Sequence, residues 1–247
     1  MYSLTESFRG EHIHQGYFKS PHDTNEQAQI NQVNQLAESA GISAGARVLD
    51  VGCGIGGTAR YLARERGCKV TAITNSRRQV ELARKLTADE AKTTGSQSSP
   101  QASTLENTGF VHLSSSRPSA DMSAGAVEFI ELDIENMQQR LGGALGMKFD
   151  CIWFSEVIFH LHTRQLCFNS AFALLNPGGS LVIADMFAAH DPASSSERER
   201  KELASISRNH LCPQLSTVDD YTQMARKAGF LPRHDPIDIT KNVAQTW

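Results

Sequence analysis

The chain has 247 residues, and its 24 Lys and Arg against 27 Asp and Glu leave a net charge of -3. That length suits one large domain or two small ones, at roughly 100–200 residues each. Near-balanced charge excludes a global field for nucleic acid or an anionic membrane, and the composition excludes a collagen-like or fully disordered chain. Cys53, Cys68, Cys151, Cys167 and Cys212 are odd in number and form no C-x-x-C pair, the usage of reduced core thiols. The first residues lack the basic and apolar regions of a secretory signal. No apolar run approaches the roughly 18 residues of a membrane span. A cytoplasmic protein with no membrane span is expected.

Residues 24 to 41 carry Ile30, Val33, Leu36, Ala37 and Ala40 at helical spacing and end at Gly41, a good C-cap. An apolar run, RVLDV, then stops in the glycines of GCGIGG. A helical TARYLARERG and a β-branched KVTAIT follow, making a βαβ unit. SRRQVELARKLTADEA reads as an amphipathic helix capped by the Ser76 hydroxyl. From about 93 to 124 the chain turns to Ser, Thr, Gly, Pro and Gln, too polar to offset its ordering entropy, and a disordered surface insertion is expected.

The alternation resumes with a strand over 127 to 133, a helix ENMQQRL and a strand over 149 to 155. A helix over 163 to 175, a turn NPGG and a strand SLVIADMF come next. STVDDYTQMARKAG is a capped helix, and 230 to 240 are expected to hold a last strand. Strands alternating with helices predict a parallel sheet wound on both faces, with ligands at the carboxyl ends of the strands. The whole of 1–247 is expected to be one domain, with 1–44 as an N-terminal lid and helix.

Gly52, Gly54 and Gly57 fit G-x-G-x-x-G between a strand and a helix. That pattern only says that the backbone turns tightly and approaches a ligand. A dinucleotide fold places an acid about 20 residues on, where this chain has Thr74. An NADP-dependent oxidoreductase is the alternative, since Arg77 and Arg78 follow, but no Tyr-x-x-x-Lys pair accompanies them. Asp50 separates the readings: a carboxylate at the end of the first strand suits an ammonium group and repels a pyrophosphate.

RVLDVGCGIGGTARYLA resembles motif I of class I S-adenosylmethionine-dependent methyltransferases. FIELDIEN, FDCIWFSEVIFHLH and LLNPGGSLVIADMF are similar to that superfamily's third-, fourth- and fifth-strand motifs. GEHIHQGYF, CPQLSTVDDYTQMARKAGF and DITKNVAQTW resemble the gamma-tocopherol methyltransferase-like group of small-molecule enzymes. The resemblance implies a Rossmann-like, doubly wound α/β fold with S-adenosyl-L-methionine as cofactor. It implies that Gly52 and Gly54 pass close to the methionine part, with Asp50 at its ammonium side. It places Thr74 and Gln79 on the ribose, Asp133 and the Ile134 N–H on the adenine, and Ser155 at the methionine end. An acid such as Asp133 after a strand also serves as the N-cap of the next turn.

A methyltransferase must align a nucleophile behind an already electrophilic methyl, with a base only where the nucleophile arrives protonated. His160 is the first choice for that base, with Glu156 beside it on the turn after the fourth strand. Phe159 follows the same turn. His14, Tyr17 and Phe18 are expected to form a lid whose aromatic faces suit a cationic centre. His12 and His14 lack further ligands, so no metal is expected.

The substrate is expected to be a small, secondary metabolite, methylated on nitrogen in preference to oxygen or carbon. A noncatalytic cofactor-binding regulatory partner is a second alternative. The resemblance further implies a last antiparallel strand beyond Trp247, so the sheet is expected to lack it and to expose the edge of SLVIADMF. Three outcomes stand: the 230–240 strand pairs there, a homo-oligomer covers the edge, or stability and substrate enclosure suffer, the last being favoured.

Overall fold

In the computed structural model, which describes residues 12–93, 109–113 and 125–246, six strands form one sheet. They are β1 (Arg47–Val51), β2 (Lys69–Thr74), β3 (Val111–Leu113), β4 (Gly125–Glu131), β5 (Phe149–Ser155) and β6 (Leu175–Ala184). Their order is β3-β4-β2-β1-β5-β6. All neighbours run parallel except β3, which pairs antiparallel with β4. β1 lies in the interior of the sheet, so its carboxyl end opens at the switch point where parallel sheets bind ligands.

Both faces are buried, which is why the strands read as continuous apolar runs rather than alternating ones. Val48, Val70, Ala72, Val127, Cys151 and Trp153 pack against α1 (Asn25–Ala40), α2 (Gly57–Arg66) and α3 (Arg77–Thr93). The opposite parity, Leu49, Val51, Ile73, Ile130, Ile152 and Phe154, meets α4 (Arg164–Leu174), residues 138–144 and the helix over Val218–Ala228. The first helix is capped as its sequence predicts: Thr24 Oγ1 accepts from Gln27 N–H at 3.1 Å, and Gly41 takes φ 65° at its end.

Four expectations are corrected. Residues 111–113, inside the stretch read as a disordered insertion, form β3, and Leu113 is 1% exposed against α2, α3 and their strands. Its neighbours at 94–108 and 114–124 lie outside the described residues. ENMQQRL forms no α-helix: a 3-10 turn (Ile134–Asn136) leads into a wider π-helical stretch (Gln138–Ala144), where Gly142 and Gly143 disfavour regular α-helix. NPGG is not a turn ahead of β6 but loops out within it, since Leu175 faces Phe149 while Ser180 faces Cys151.

The fourth concerns the segment 230–240, where no strand forms. After Gly229 the chain is irregular until α7 (Thr240–Val243), with α5 (Glu197–Asn209) and α6 (Val218–Ala228) the helices before it. Two prolines, Pro232 and Pro236, remove ladder donors there. Among the described residues β6 therefore pairs only with β5. Helix α5 was not legible as such, although Ser196 and Glu199 form a reciprocal capping box at its start. All five cysteines are free, and no described helix is long and apolar enough to cross a membrane.

Candidate active site

The sharp turn after β1 is built by glycines in the left-handed region, Gly52 at φ 73°, Gly54 at 54° and Gly56 at 81°. Gly52 and Cys53 both donate N–H to the Ile73 carbonyl, at 2.9 and 3.0 Å, which ties the loop to the end of β2. A Cβ on Gly52 would stand 2.4 Å from Val157 Cγ2, and one on Gly54 2.6 Å from Ile13 Cδ1. The loop is thus enclosed by the turn after β5 and by the N-terminal segment. Glycine is required here by both conformation and space.

Asp50 ends on this loop, 3% exposed, and its Oδ2 has no hydrogen-bond partner. Burial alone pushes its carboxyl up to about 7. Its register neighbour Trp153 has an unpartnered buried Nε1, and Ser155, two residues further along β5, an unpartnered buried Oγ. Orphaned polar atoms at the ends of two adjacent strands are the mark of a site completed by a ligand. A buried carboxylate and a hydroxyl without partners beside a glycine turn fit the amino-acid end of S-adenosylmethionine.

The other expected cofactor contacts divide. Thr74 and Gln79 are brought together, the Thr74 hydroxyl donating to Gln79 Oε1 at 2.6 Å. Arg77, which an NADP phosphate would need, is ion-paired to Glu81 at 3.0 Å. Asp133 is exposed, and its Oδ1 accepts the Glu135 N–H at 2.9 Å as the cap of the turn that begins at Ile134. The observed contact is therefore the capping one.

After β5 the backbone is strained where the candidates sit, since Glu156 takes φ 58° without being glycine. Its N–H donates to the Ala184 carbonyl at 2.8 Å and its Oε1 accepts the Gln15 N–H at 2.7 Å. Burial raises its carboxyl to about 7. His160 closes the following 3-10 turn (Ile158–His160), exposed, with its ring 3.9 Å from that of Phe159. Partial burial and the nearby His210 lower its pKa. Arg164 fastens the turn by donating to the Ile158, Phe159 and Gln214 carbonyls and the Ser216 hydroxyl.

The N-terminal segment is stitched over the loop. His12 Nδ1 lies 3.1 Å from His14 Nε2 and 3.4 Å from the Thr58 hydroxyl, and Gln29 donates to the carbonyls of both histidines. Of the expected lid residues, His14 belongs to this arrangement. Tyr17 and Phe18 anchor the segment through their backbone, Tyr17 N–H to Ala28 and Phe18 N–H to Asn242. Phe18 is buried at 7% exposure, and Phe159 is buried with Ala188, Cys212 and Leu215 beside α5. Ile13 and Gln15, which were not anticipated, bring the N-terminal segment against Gly54 and onto the Glu156 carboxylate.

Asp185 was also missed, although it stands one residue past β6 as an acid at a strand's carboxyl end. Its Oδ2 accepts the Phe159 N–H at 3.0 Å and the Tyr221 O–H at 3.1 Å, and its Oδ1 the Met186 N–H at 3.1 Å. Burial raises it to about 7 despite these donors, and neighbouring Glu156 adds to the rise. Gln15, Glu156 and Asp185 line a cavity of about 2230 Å³ that runs beside the free edge of β6, whereas His160 does not line it. No group of three metal-binding side chains occurs among the described residues.

Comparison with known proteins agrees with this geometry. Residues 23–234 match the family described as a methyltransferase domain. A methyltransferase, GfsG, of Streptomyces halstedii is 28% identical over 96% of this chain and 70% of its own length. The 27-O-demethylrifamycin SV methyltransferase of Amycolatopsis mediterranei (strain S699) is 25% identical over 99% of this chain and 75% of its own. Among solved structures, a geranyl diphosphate methyltransferase in complex with SAM superposes with a TM-score of 0.66 at 16% identity, over 94% of this chain and 83% of that one. The NADP oxidoreductase alternative falls with these matches. A glycine turn with a buried, unpartnered Asp50, inside a chain matched along most of its length, makes this protein a member of the methyltransferase domain family, a class I S-adenosylmethionine-dependent methyltransferase.

Proposed function

We propose that the protein transfers the methyl group of S-adenosylmethionine to nitrogen in a small secondary metabolite. The observation that carries the cofactor half is Asp50, a buried carboxylate at the glycine turn whose Oδ2 has no partner among the described residues. Asp50 holds the ammonium of the methionine part, and Gly52 and Gly54, which carry no side chain, let the methionine part come close to the turn. Ser155 lines the same end, Thr74 and Gln79 hold the ribose, and Asp133 with the Ile134 N–H meets the adenine edge. The sulfonium supplies an electrophilic methyl, so this chain's residues need only align the acceptor, exclude water and take a proton.

Glu156 is favoured over His160 as proton acceptor, because it lines the cavity and is raised to about 7, near the pH at which it must work. His14 closes the site from the N-terminal segment, while Tyr17 and Phe18 hold that segment in place. Nitrogen is supported by buried carboxylates where an amine would arrive. Oxygen is the second reading, favoured by the rifamycin relative, whose name specifies an O-demethyl substrate. Incubation with methyl-labelled S-adenosylmethionine and a metabolite extract tests both. A labelled amine that disappears in Glu156→Gln supports the proposal, a labelled ether or ester selects the second reading, and no labelled product refutes both.

A further inference from the structure

A buried cation holds the glycine turn. Arg60, in the first turn of α2, is 1% exposed and satisfies two consecutive carbonyls of the loop. Its backbone N–H donates to the Gly56 carbonyl at 2.9 Å and its Nη1 to the Ile55 carbonyl at 2.7 Å. The peptide between Ile55 and Gly56 is tied at its other end too, since the Gly56 N–H donates to the Cys53 carbonyl at 2.9 Å. Gly54 and Gly56 flank Ile55 in the left-handed region, at φ 54° and 81°, and glycine passes readily to the opposite sign of φ. Without the Arg60 anchor that peptide plane is free to turn over.

The guanidinium is itself aimed. Glu90, on α3, forms an ion pair with Arg60 Nε at 3.1 Å and a second one with Arg64. A Cβ on Gly56 would come within 3.3 Å of Arg60 Nη1 and 2.4 Å of Phe129 Cε1, so guanidinium and turn are in close contact. The charge reaches the N-terminal segment as well, where burial, His14, Arg60 and Arg64 together push His12, beside Thr58, down to about 3. Stability alone does not account for a cation in this place, because an ion pair taken out of water is often worth no more than apolar side chains of the same volume. Glu90 would moreover keep Arg64 as a partner if Arg60 were replaced. What an apolar side chain cannot supply is a donor for the Ile55 carbonyl.

We infer that Arg60, aimed by Glu90 of α3, is the positioning residue that fixes the glycine turn in the backbone form that receives S-adenosylmethionine. The inference rests on the assignment of the cofactor to that turn. Arg60 acts only through the Ile55 and Gly56 peptide groups: it binds no methyl acceptor and moves no proton. Were the peptide to turn over, the Ile55 oxygen would leave Arg60, the Gly56 N–H would leave Cys53, and the turn beside Asp50 would change shape. Cofactor affinity then falls by the fraction of molecules still in the competent form, so a tenfold loss corresponds to a competent fraction of about one tenth.

The test compares Arg60→Met, which keeps an unbranched side chain and removes the donors, with Glu90→Gln and with a control, Leu62→Ala. Leu62 is a fully buried side chain of the same helix that carries no polar atom. Each variant is checked for cooperative melting. S-adenosylhomocysteine affinity is then measured by calorimetry well below every melting temperature, and amide exchange at Gly56 is followed by NMR without ligand. Arg60→Met is expected to weaken S-adenosylhomocysteine about tenfold or more and to speed Gly56 exchange by a larger factor than the strand amides of Val48 and Val70. Glu90→Gln leaves Arg60 in place but removes the charge that aims it, and should produce both effects at about threefold. Leu62→Ala should melt lower through its cavity and bind with wild-type affinity. Wild-type affinity in Arg60→Met, or an affinity loss without faster Gly56 exchange, overturns the inference. Should Arg60→Met not fold, wild-type affinity and exchange in Glu90→Gln overturn it instead. An affinity loss in Leu62→Ala equal to that in Arg60→Met also overturns it, by making Arg60 one more core residue. A wild-type protein that binds no S-adenosylhomocysteine overturns the cofactor assignment itself.

Discussion

Asp50→Asn should make the empty protein more stable and at the same time abolish its cofactor binding. The Asp50 carboxyl is raised from 3.8 to about 7 by burial, and its Oδ2 has no hydrogen-bond partner among the described residues. Below pH 4 the acid is protonated folded and unfolded, and its ionisation costs nothing. As pH rises from about 4 to 7 the unfolded chain ionises and the folded one does not, so stability falls by about 1.4 kcal/mol per pH unit. Above pH 7 the loss levels off at about 4 kcal/mol. An Asn has no ionisation to suppress, but its buried amide lacks a partner too, at a cost of about 1–3 kcal/mol. The net gain is about 2 kcal/mol above pH 7, or roughly 4–8 °C in melting temperature for a chain of this size.

The assay is urea denaturation of both proteins from pH 5 to 8.5 without ligand, with S-adenosylhomocysteine calorimetry alongside. Because Glu156 and Asp185 are shared by both proteins, the difference between the two curves isolates Asp50. It should be widest at pH 8 and shrink toward pH 5, where most of the raised carboxyl is protonated in the native state. A variant no more stable than wild type at pH 8, an advantage that does not shrink with falling pH, or undiminished S-adenosylhomocysteine affinity would each refute the reasoning.

Gly52→Ala forces a Cβ to 2.4 Å from Val157 Cγ2 at φ 73°; it should cost about 1–3 kcal/mol in urea unfolding and lose S-adenosylhomocysteine binding, and wild-type affinity would count against a cofactor at this turn. Thr74→Val keeps the side chain's shape but removes the hydroxyl that bonds Gln79 at 2.6 Å. It should weaken S-adenosylhomocysteine about tenfold with little change in melting temperature, and unchanged calorimetry would withdraw the ribose assignment. Leu113→Ala should destabilise by about 2–4 kcal/mol, because Leu113 is buried at 1% exposure. By the same measure, removal of 93–124 as a block should be far more damaging than removal of 94–108; equal stability of the two deletions would mean that β3 contributes nothing.

By itself the amino-acid order determined the βαβ alternation, the glycine turn and the acid at the end of β1, while the Thr74 and Gln79 pair came from the resemblance. All of these are local: each depends on residues a few positions apart, on the period of apolar side chains, or on a backbone conformation that only glycine adopts readily. The capping role of Asp133 was legible for the same reason, since cap and N–H lie two residues apart. Contacts between distant segments were decided only by tertiary structure. Gln15 reaches Glu156 across 141 positions, and Asp185 becomes its neighbour only because β6 is laid beside β5.

The short strand β3 illustrates the same division. Its surroundings are too polar to signal a core, yet β4 offers an unpaired edge, and pairing there buries Leu113 and satisfies backbone groups that composition does not count. The segment 230–240 shows the converse. Its β-branched residues suggest a strand, but Pro232 and Pro236 withhold donors, and the chain instead crosses toward the N-terminal segment, where Asn242 pairs with Phe18. Which side chains face one cavity is a consequence of strand order, and strand order is settled by the burial of both sheet faces at once rather than by any one stretch of residues.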